Sequence, residues 1–238
     1  MNQKKVTILQ LYPSEMNVYG DFGNVLCLKK RLEWLDYEVK LLEHHPGRSF
    51  PKNVDIIVGG GGQDSGQLTI KDDLLKIGPM LHTLADDGVP MLMICGLYQL
   101  FGRFFKTRDG TTIPGIGIFG AETYGGDKRL IGNIVTKSEQ FGDIIGYENH
   151  SGLTYLDPHQ EPLGDVIKGV GNNTKDHNEG AVYNNVIGTY LHGSLLPKNP
   201  QLADFLINAA VKNNSELANH QLSEITHKAR LATKKRPR

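Results

Sequence analysis

Cys95 closes the apolar run Val89-Pro90-Met91-Leu92-Met93-Ile94 and is followed by Gly96 and then Leu97-Tyr98-Gln99-Leu100-Phe101, the start of an amphipathic helix. A strand that ends in a nucleophile, turns on a glycine and enters a helix has the layout of a nucleophile elbow. There the helix N-terminus favours thiolate over thiol, and the N–H after the cysteine can stabilise an oxyanion. Cys95 is the candidate nucleophile; the plainer reading is a small buried hydrophobe at a strand end. A cysteine nucleophile needs a base, and nine histidines are candidates. His192 follows the strand-like run 186–191 and precedes Gly193, so it also falls at a strand end. A thiolate–imidazolium pair of Cys95 and His192 would perform acyl transfer, the cysteine attacking a carbonyl and the histidine carrying the proton to the leaving group. Taken alone, His192 reads more readily as an ordinary loop histidine.

Gly59-Gly60-Gly61-Gly62-Gln63-Asp64 follows another apolar run. Successive glycines let a backbone approach a ligand closely and turn its N–H groups inward, as an oxyanion nest requires. No Gly-Lys-Ser or Gly-Lys-Thr follows, so a Walker-type phosphate loop is excluded; a plain tight turn stays open.

The elements that must position these residues alternate in type. Lys5–Leu11 is strand-like, and a polar loop over 12–23 leads to a helical pattern over 24–35. Residues 38–42 and 54–58 read as strands, 70–87 as a helix, and 89–94 as the strand that delivers Cys95. Such alternation argues for βαβ units and a mostly parallel sheet, whose ligands bind beyond the strands' carboxyl ends. The glycine run and Cys95 both fall at such ends. From 112 to 190 the texture changes to short β-prone runs at 115–119, 129–136, 141–147, 166–170 and 181–190, several of them expected to be antiparallel. A helix is predicted over 199–213 with Pro200 in its first turn, and a second over 215–232 before a basic tail. One domain over 1–238 is expected, with C-terminal helices over about 199–232 and a tail over 233–238.

The 26 basic and 26 acidic side chains cancel, so no global field points to nucleic acid or to a membrane surface. The apolar runs, such as 91–95, are far too short to span a bilayer, and the polar start leads directly into a strand, so no signal peptide is expected. Cys27 and Cys95 fit neither a disulfide framework nor a metal spacing. The expectation is a cytoplasmic protein with reduced thiols.

Taken together, the Gly-rich loop, Ile94-Cys95-Gly96-Leu97-Tyr98-Gln99 at the elbow and Gly188-Thr189-Tyr190-Leu191-His192-Gly193 resemble the class I glutamine amidotransferases, within them the cobyric-acid-synthase-like branch. A closer likeness is to the small stand-alone glutaminase subunits of lipid II isoglutaminyl synthases. It extends over nearly the whole chain: Tyr12-Pro13-Ser14-Glu15-Met16-Asn17-Val18-Tyr19-Gly20-Asp21, Lys128-Arg129-Leu130-Ile131-Gly132-Asn133 and Tyr147-Glu148-Asn149-His150 belong to it. The resemblance implies an α/β fold with a mostly parallel central sheet flanked by helices, plus added antiparallel strands and C-terminal helices.

It also implies roles. Cys95 would attack the side-chain amide of L-glutamine to give a γ-glutamyl thioester, and His192 would protonate departing ammonia and activate water. The N–H groups of Gly96 and of Gly60 or Gly61 would form the oxyanion hole. Gln99 would help hold glutamine, and Arg129 would grip its α-carboxylate, which suits a guanidinium. One departure stands out: many class I members carry a carboxylate two residues after the histidine, and here that place is Ser194. Glu148 and Asp21 are the candidate substitutes, unranked; otherwise the pair works as a dyad. His150 is a rival base without the strand-end context.

No metal site and no cofactor are expected in this chain. The resemblance implies a Mur-ligase-like (MurT-type) synthetase partner in a heterodimer, carrying ATP and magnesium. That partner would activate the α-carboxylate of D-glutamate in the peptidoglycan stem peptide, so lipid II, and any proximity to the inner membrane face, would come only through it. The alternatives are a glutaminase for another acceptor, such as a cobyrinate, and a γ-glutamyl peptidase.

Overall fold

A computed structural model describes residues 4–212 and 220–235 of the 238. β1 (Lys5–Leu11) leads through a loop to α1 (Phe22–Glu33), whose buried Val25, Leu28 and Leu32 recur at helical spacing. β2 (Glu38–His44) and β3 (Ile56–Gly59) follow, then α2 (Asp64–Asp86), β4 (Met91–Ile94) and the short α3 (Gly96–Phe101). Every residue of β3 and β4 is buried, as strands covered on both faces must be.

The second sheet starts with β5 (Phe104–Lys106) and β6 (Thr112–Pro114), and its centre is a long antiparallel pair, β7 (Ala121–Ser138) and β8 (Gly142–Leu156). The β7–β8 register shifts between Gly125 and Leu130, so the segment carrying Arg129 bulges out of the ladder. β9 (Gly164–Lys168) and β10 (Asn178–Glu179) complete one side. The chain then returns to the first sheet as the hairpin β11 (Ala181–Tyr183) and β12 (Val186–Thr189), and β13 (Leu191–His192) crosses back to pair with β8. Helices α4 (Leu195–Lys198), α5 (Pro200–Val211) and α6 (His220–Lys234) end the described chain. The first sheet has the order β11-β12-β4-β3-β1-β2 and is parallel except at the β11 edge. Among the described residues no helix is long and apolar enough to cross a membrane.

Four expectations need correction. α2 begins at Asp64, six residues before the predicted start: the carbonyl of extended Gln63 accepts the Gln67 N–H at 3.0 Å, and Asp64 complements the helix dipole. Residues 115–119 form no strand: the N–H groups of Gly115, Ile116, Gly117 and Phe119 donate to the carbonyls of Arg103, Leu100, Gly102 and Phe101, around the end of α3. The runs 129–136 and 141–147 are parts of two much longer strands, β7 and β8. The run 181–190 breaks into a hairpin at Asn184, which adopts a positive φ of 50°. Residues 213–219 and 236–238, within the predicted last helix and basic tail, lie outside the described residues.

Candidate active site

β4 delivers Cys95 to the sheet's carboxyl edge, where its N–H donates to the Thr189 carbonyl at 2.8 Å and its own carbonyl accepts from Gln99 N–H at 2.9 Å. Between these bonds Cys95 takes φ 49° and ψ −101°, a conformation that non-glycine residues avoid and that costs of order 1–3 kcal/mol. The turn leaves the side chain 8% exposed. Gly96 leaves little room for a side chain: a Cβ there would lie 2.7 Å from Met16 Cε and 3.0 Å from Gly62 N.

His192 arrives by a different route. Thr189 pairs with Ile94 in the first sheet; three residues later His192 pairs with Tyr147 in the second. The crossing between sheets sets the imidazole beside the elbow. Gly61 lies against both: a Cβ there would sit 2.6 Å from His192 Cε1 and 3.2 Å from Cys95 Cβ. The ring's carboxylate partner is Asp21, which receives Nδ1–H at 3.3 Å. Glu148 is occupied elsewhere, accepting the N–H groups of Val170 and Gly171. Ser194, two residues after His192, donates its hydroxyl to the Gly20 carbonyl at 2.9 Å and so buttresses the loop that carries Asp21.

Burial by itself would push the His192 pKa down. The charge of a Cys95 thiolate and the hydrogen bond and charge of Asp21 outweigh it, and the pKa is pushed up to about 10. His192 Nε2, left for the thiol, is buried and bonds to no other group. His150, the rival base, behaves in the opposite way. Its Nδ1 bonds to the Gly152 carbonyl at 2.7 Å, its ring stacks on Tyr190 at 3.6 Å, and burial drives its pKa down to about 3. A neutral imidazole of such low basicity does not take a thiol proton at neutral pH.

A cavity of about 370 Å³ opens over Cys95 and is lined also by Tyr19, Gly62, Asp64, Gln99, Arg129, Asn149, His150 and His192. The expected loop donors need one correction. The Gly61 N–H is already bonded to Asp21 Oδ2 at 2.7 Å, whereas Gly62 lines the cavity. Gln99 lies in the cavity wall with its amide ordered by buried neighbours: Oε1 accepts from Gln67 at 2.8 Å and Nε2 donates to Tyr190 Oη at 3.0 Å. Arg129 reaches the cavity from the bulge, with Nε on Asn149 Oδ1 at 2.5 Å and an Nη on Tyr19 Oη at 3.0 Å. Tyr19, Gly62, Gln67 and Asn149 carry no role that the sequence alone assigns. A Tyr-Gly-Asp turn just before a helix is the available signal for Tyr19, but nothing local ties it to Arg129.

A family model described as the CobB/CobQ-like glutamine amidotransferase domain matches residues 7–200. The chain is 40% identical over 208 residues to the lipid II isoglutaminyl synthase (glutamine-hydrolyzing) subunit GatD of Staphylococcus aureus strain N315, covering 87% of this chain and 84% of that one. It is 40% identical over 212 residues to the subunit of the same name from Streptococcus pneumoniae strain ATCC BAA-255 / R6, with 87% and 81% covered. Among solved structures, PurLQS from Thermotoga maritima superposes with a TM-score of 0.60 at 14% identity, over 87% of this chain and 98% of that one, a likeness of fold alone.

Proposed function

The chain belongs to the CobB/CobQ-like glutamine amidotransferase family, and from that membership we propose that it is the glutamine-hydrolysing subunit of a lipid II isoglutaminyl synthase. The observation that carries the chemistry is the meeting of Cys95 and His192 beside Gly61, with Asp21 behind the imidazole. Cys95 attacks the side-chain amide carbon of glutamine. The oxyanion that forms is held by the N–H of Gly96 and by that of Gly62, the loop glycine that faces the cavity. His192, its charged form favoured by Asp21, delivers its proton to the departing ammonia. A γ-glutamyl thioester remains, and the now neutral His192 takes a proton from the water that hydrolyses it. Asp21 orients the ring and stabilises its charged form, completing a Cys95–His192–Asp21 triad whose acid precedes α1 instead of following the base.

Ammonia then passes to a synthetase partner of the Mur-ligase type that uses ATP and magnesium. There it amidates the α-carboxylate of D-glutamate in the stem peptide of lipid II. The identity shared with the two glutamine-hydrolyzing subunits over most of both chains favours this acceptor over a cobyrinate. In this reading the chain works in the cytoplasm and meets the membrane-bound substrate through its partner.

The test is reconstitution with the synthetase. Glutamine-dependent amidation of lipid II should disappear with Cys95→Ala, while amidation from added ammonium salt should persist in the same complex. Amidation from glutamine that survives Cys95→Ala would reject the role of this site, and a partner-loaded complex that leaves lipid II unmodified would reject the acceptor.

A further inference from the structure

Arg129 is held in place before any substrate arrives. Asn149 Oδ1 takes its Nε–H at 2.5 Å and Tyr19 Oη takes one Nη–H at 3.0 Å, so the guanidinium plane is fixed from two sides where Arg129 lines the cavity. The second bond has a consequence for the phenol. With a lone pair committed to the guanidinium, Tyr19 still has its own O–H to donate, and no acceptor among the described residues takes it. Arg129 and Tyr19 thus present donors side by side, an arrangement suited to a carboxylate. The same Tyr19 ring meets His192 edge-on, with centroids 5.0 Å apart at 72°.

Resting on the glutaminase reading, we propose that Tyr19 is a substrate-binding residue, donating its phenolic proton to the α-carboxylate of the glutamine that Arg129 grips. Its loop is organised for this. Tyr19 has φ 62° and Gly20 φ 77°, the Gly20 carbonyl is tied to Ser194, and Asp21 is tied to His192 and Gly61. Binding of the carboxylate and placement of the base therefore depend on three consecutive residues of one turn. The hydroxyl serves binding, and the ring, through its contact with His192, serves the base. Removing only the hydroxyl should weaken capture of substrate with little change in the chemical step.

The experiment measures covalent labelling of Cys95 by 6-diazo-5-oxo-L-norleucine, an electrophilic glutamine analogue that retains the α-carboxylate, using intact-protein mass spectrometry. The chains compared, each assembled with the synthetase partner, are the native one, Tyr19→Phe, Arg129→Ala and the double variant. Tyr19→Phe should raise the half-saturating concentration about tenfold or more, as expected for a hydrogen bond to a charged group, and leave the limiting labelling rate within about twofold. In the Arg129→Ala background the same substitution should add almost nothing, because the carboxylate is no longer seated beside the phenol. Unchanged half-saturation in Tyr19→Phe, or an equal effect with and without Arg129, would overturn the assignment of Tyr19 alone. Failure of the analogue to label Cys95 in the native chain would overturn the glutaminase reading itself, and this inference with it.

Discussion

His192 and His150 line the same cavity, are 1% and 3% exposed, and are driven in opposite directions, one up to about 10 and the other down to about 3. Burial acts on both in the same sense, against the charged ring. The difference lies in what each strand presents. On the elbow side the Asp21 carboxylate and the Cys95 sulfur face the imidazole of His192 and favour its charged form. On the β8 side His150 meets the Gly152 carbonyl and a stacked Tyr190, while the charges of His192 and Arg129 oppose its protonation. A buried histidine becomes an acid–base catalyst through the charges beside it, and proximity to the reacting atoms is insufficient.

The strongest way to break this contrast is to remove its active member. His192→Asn should lower glutamate release by about a thousandfold or more, the range expected for loss of a general acid–base, whereas His150→Asn should cost less than about tenfold. Equal losses from the two would abolish the distinction. Arg129→Ala comes next: glutamine should half-saturate at a concentration raised about 30-fold, with a smaller fall in turnover, as loss of a charge-assisted pair predicts. An unchanged dependence on glutamine concentration would remove Arg129 from substrate binding.

Asp21→Asn sharpens the comparison from the other side. It should reduce turnover about 10- to 100-fold and, more diagnostically, shift the pH profile. His192 must be protonated to release ammonia, so activity falls as pH rises through the His192 pKa. Deleting the Asp21 charge lowers that pKa and brings the alkaline limb to lower pH. His150→Asn should leave the limb in place, since His150 stays neutral throughout. The same shift has a stability counterpart: the contribution of His192 to folding is complete below its ordinary value of 6.5 and is lost as pH rises through about 10. The smallest effect concerns the second cysteine. Cys27 lies half-buried on α1, and burial pushes its pKa up to about 11, so it remains a thiol. Cys27→Ala should leave turnover within about twofold, and a large loss would show that thiol environment is not what separates the two cysteines.

The elbow was legible in the sequence because it is local: a short apolar strand, a glycine and a helical pattern fix Cys95 and Gly96 without distant contacts. The parallel sheet followed from the same periodicities. The opposite wall is assembled across long separations, with Asp21 and His192 171 residues apart and Tyr19 and Arg129 110 apart. Only the crossing of β13 between sheets and the bulge in β7 bring them together, and neither has a local signature. The choice between Asp21 and Glu148 could not be made from residue type, since both are buried carboxylates with hydrogen-bonded oxygens; what separates them is which one faces the imidazole. The Gly59–Gly62 run announced a nest, but which N–H stays available depended on Asp21 capturing that of Gly61.

Joint hydrolysis of glutamine by Cys95 and His192 is tested most directly by following glutamate and ammonia release from L-glutamine. The chain is assembled with its synthetase partner and compared with the same complex carrying Cys95→Ala or His192→Asn. The native complex should yield equimolar glutamate and ammonia, and either variant should lose both products. Release undiminished by Cys95→Ala, or no release from the native complex, would contradict the mechanism.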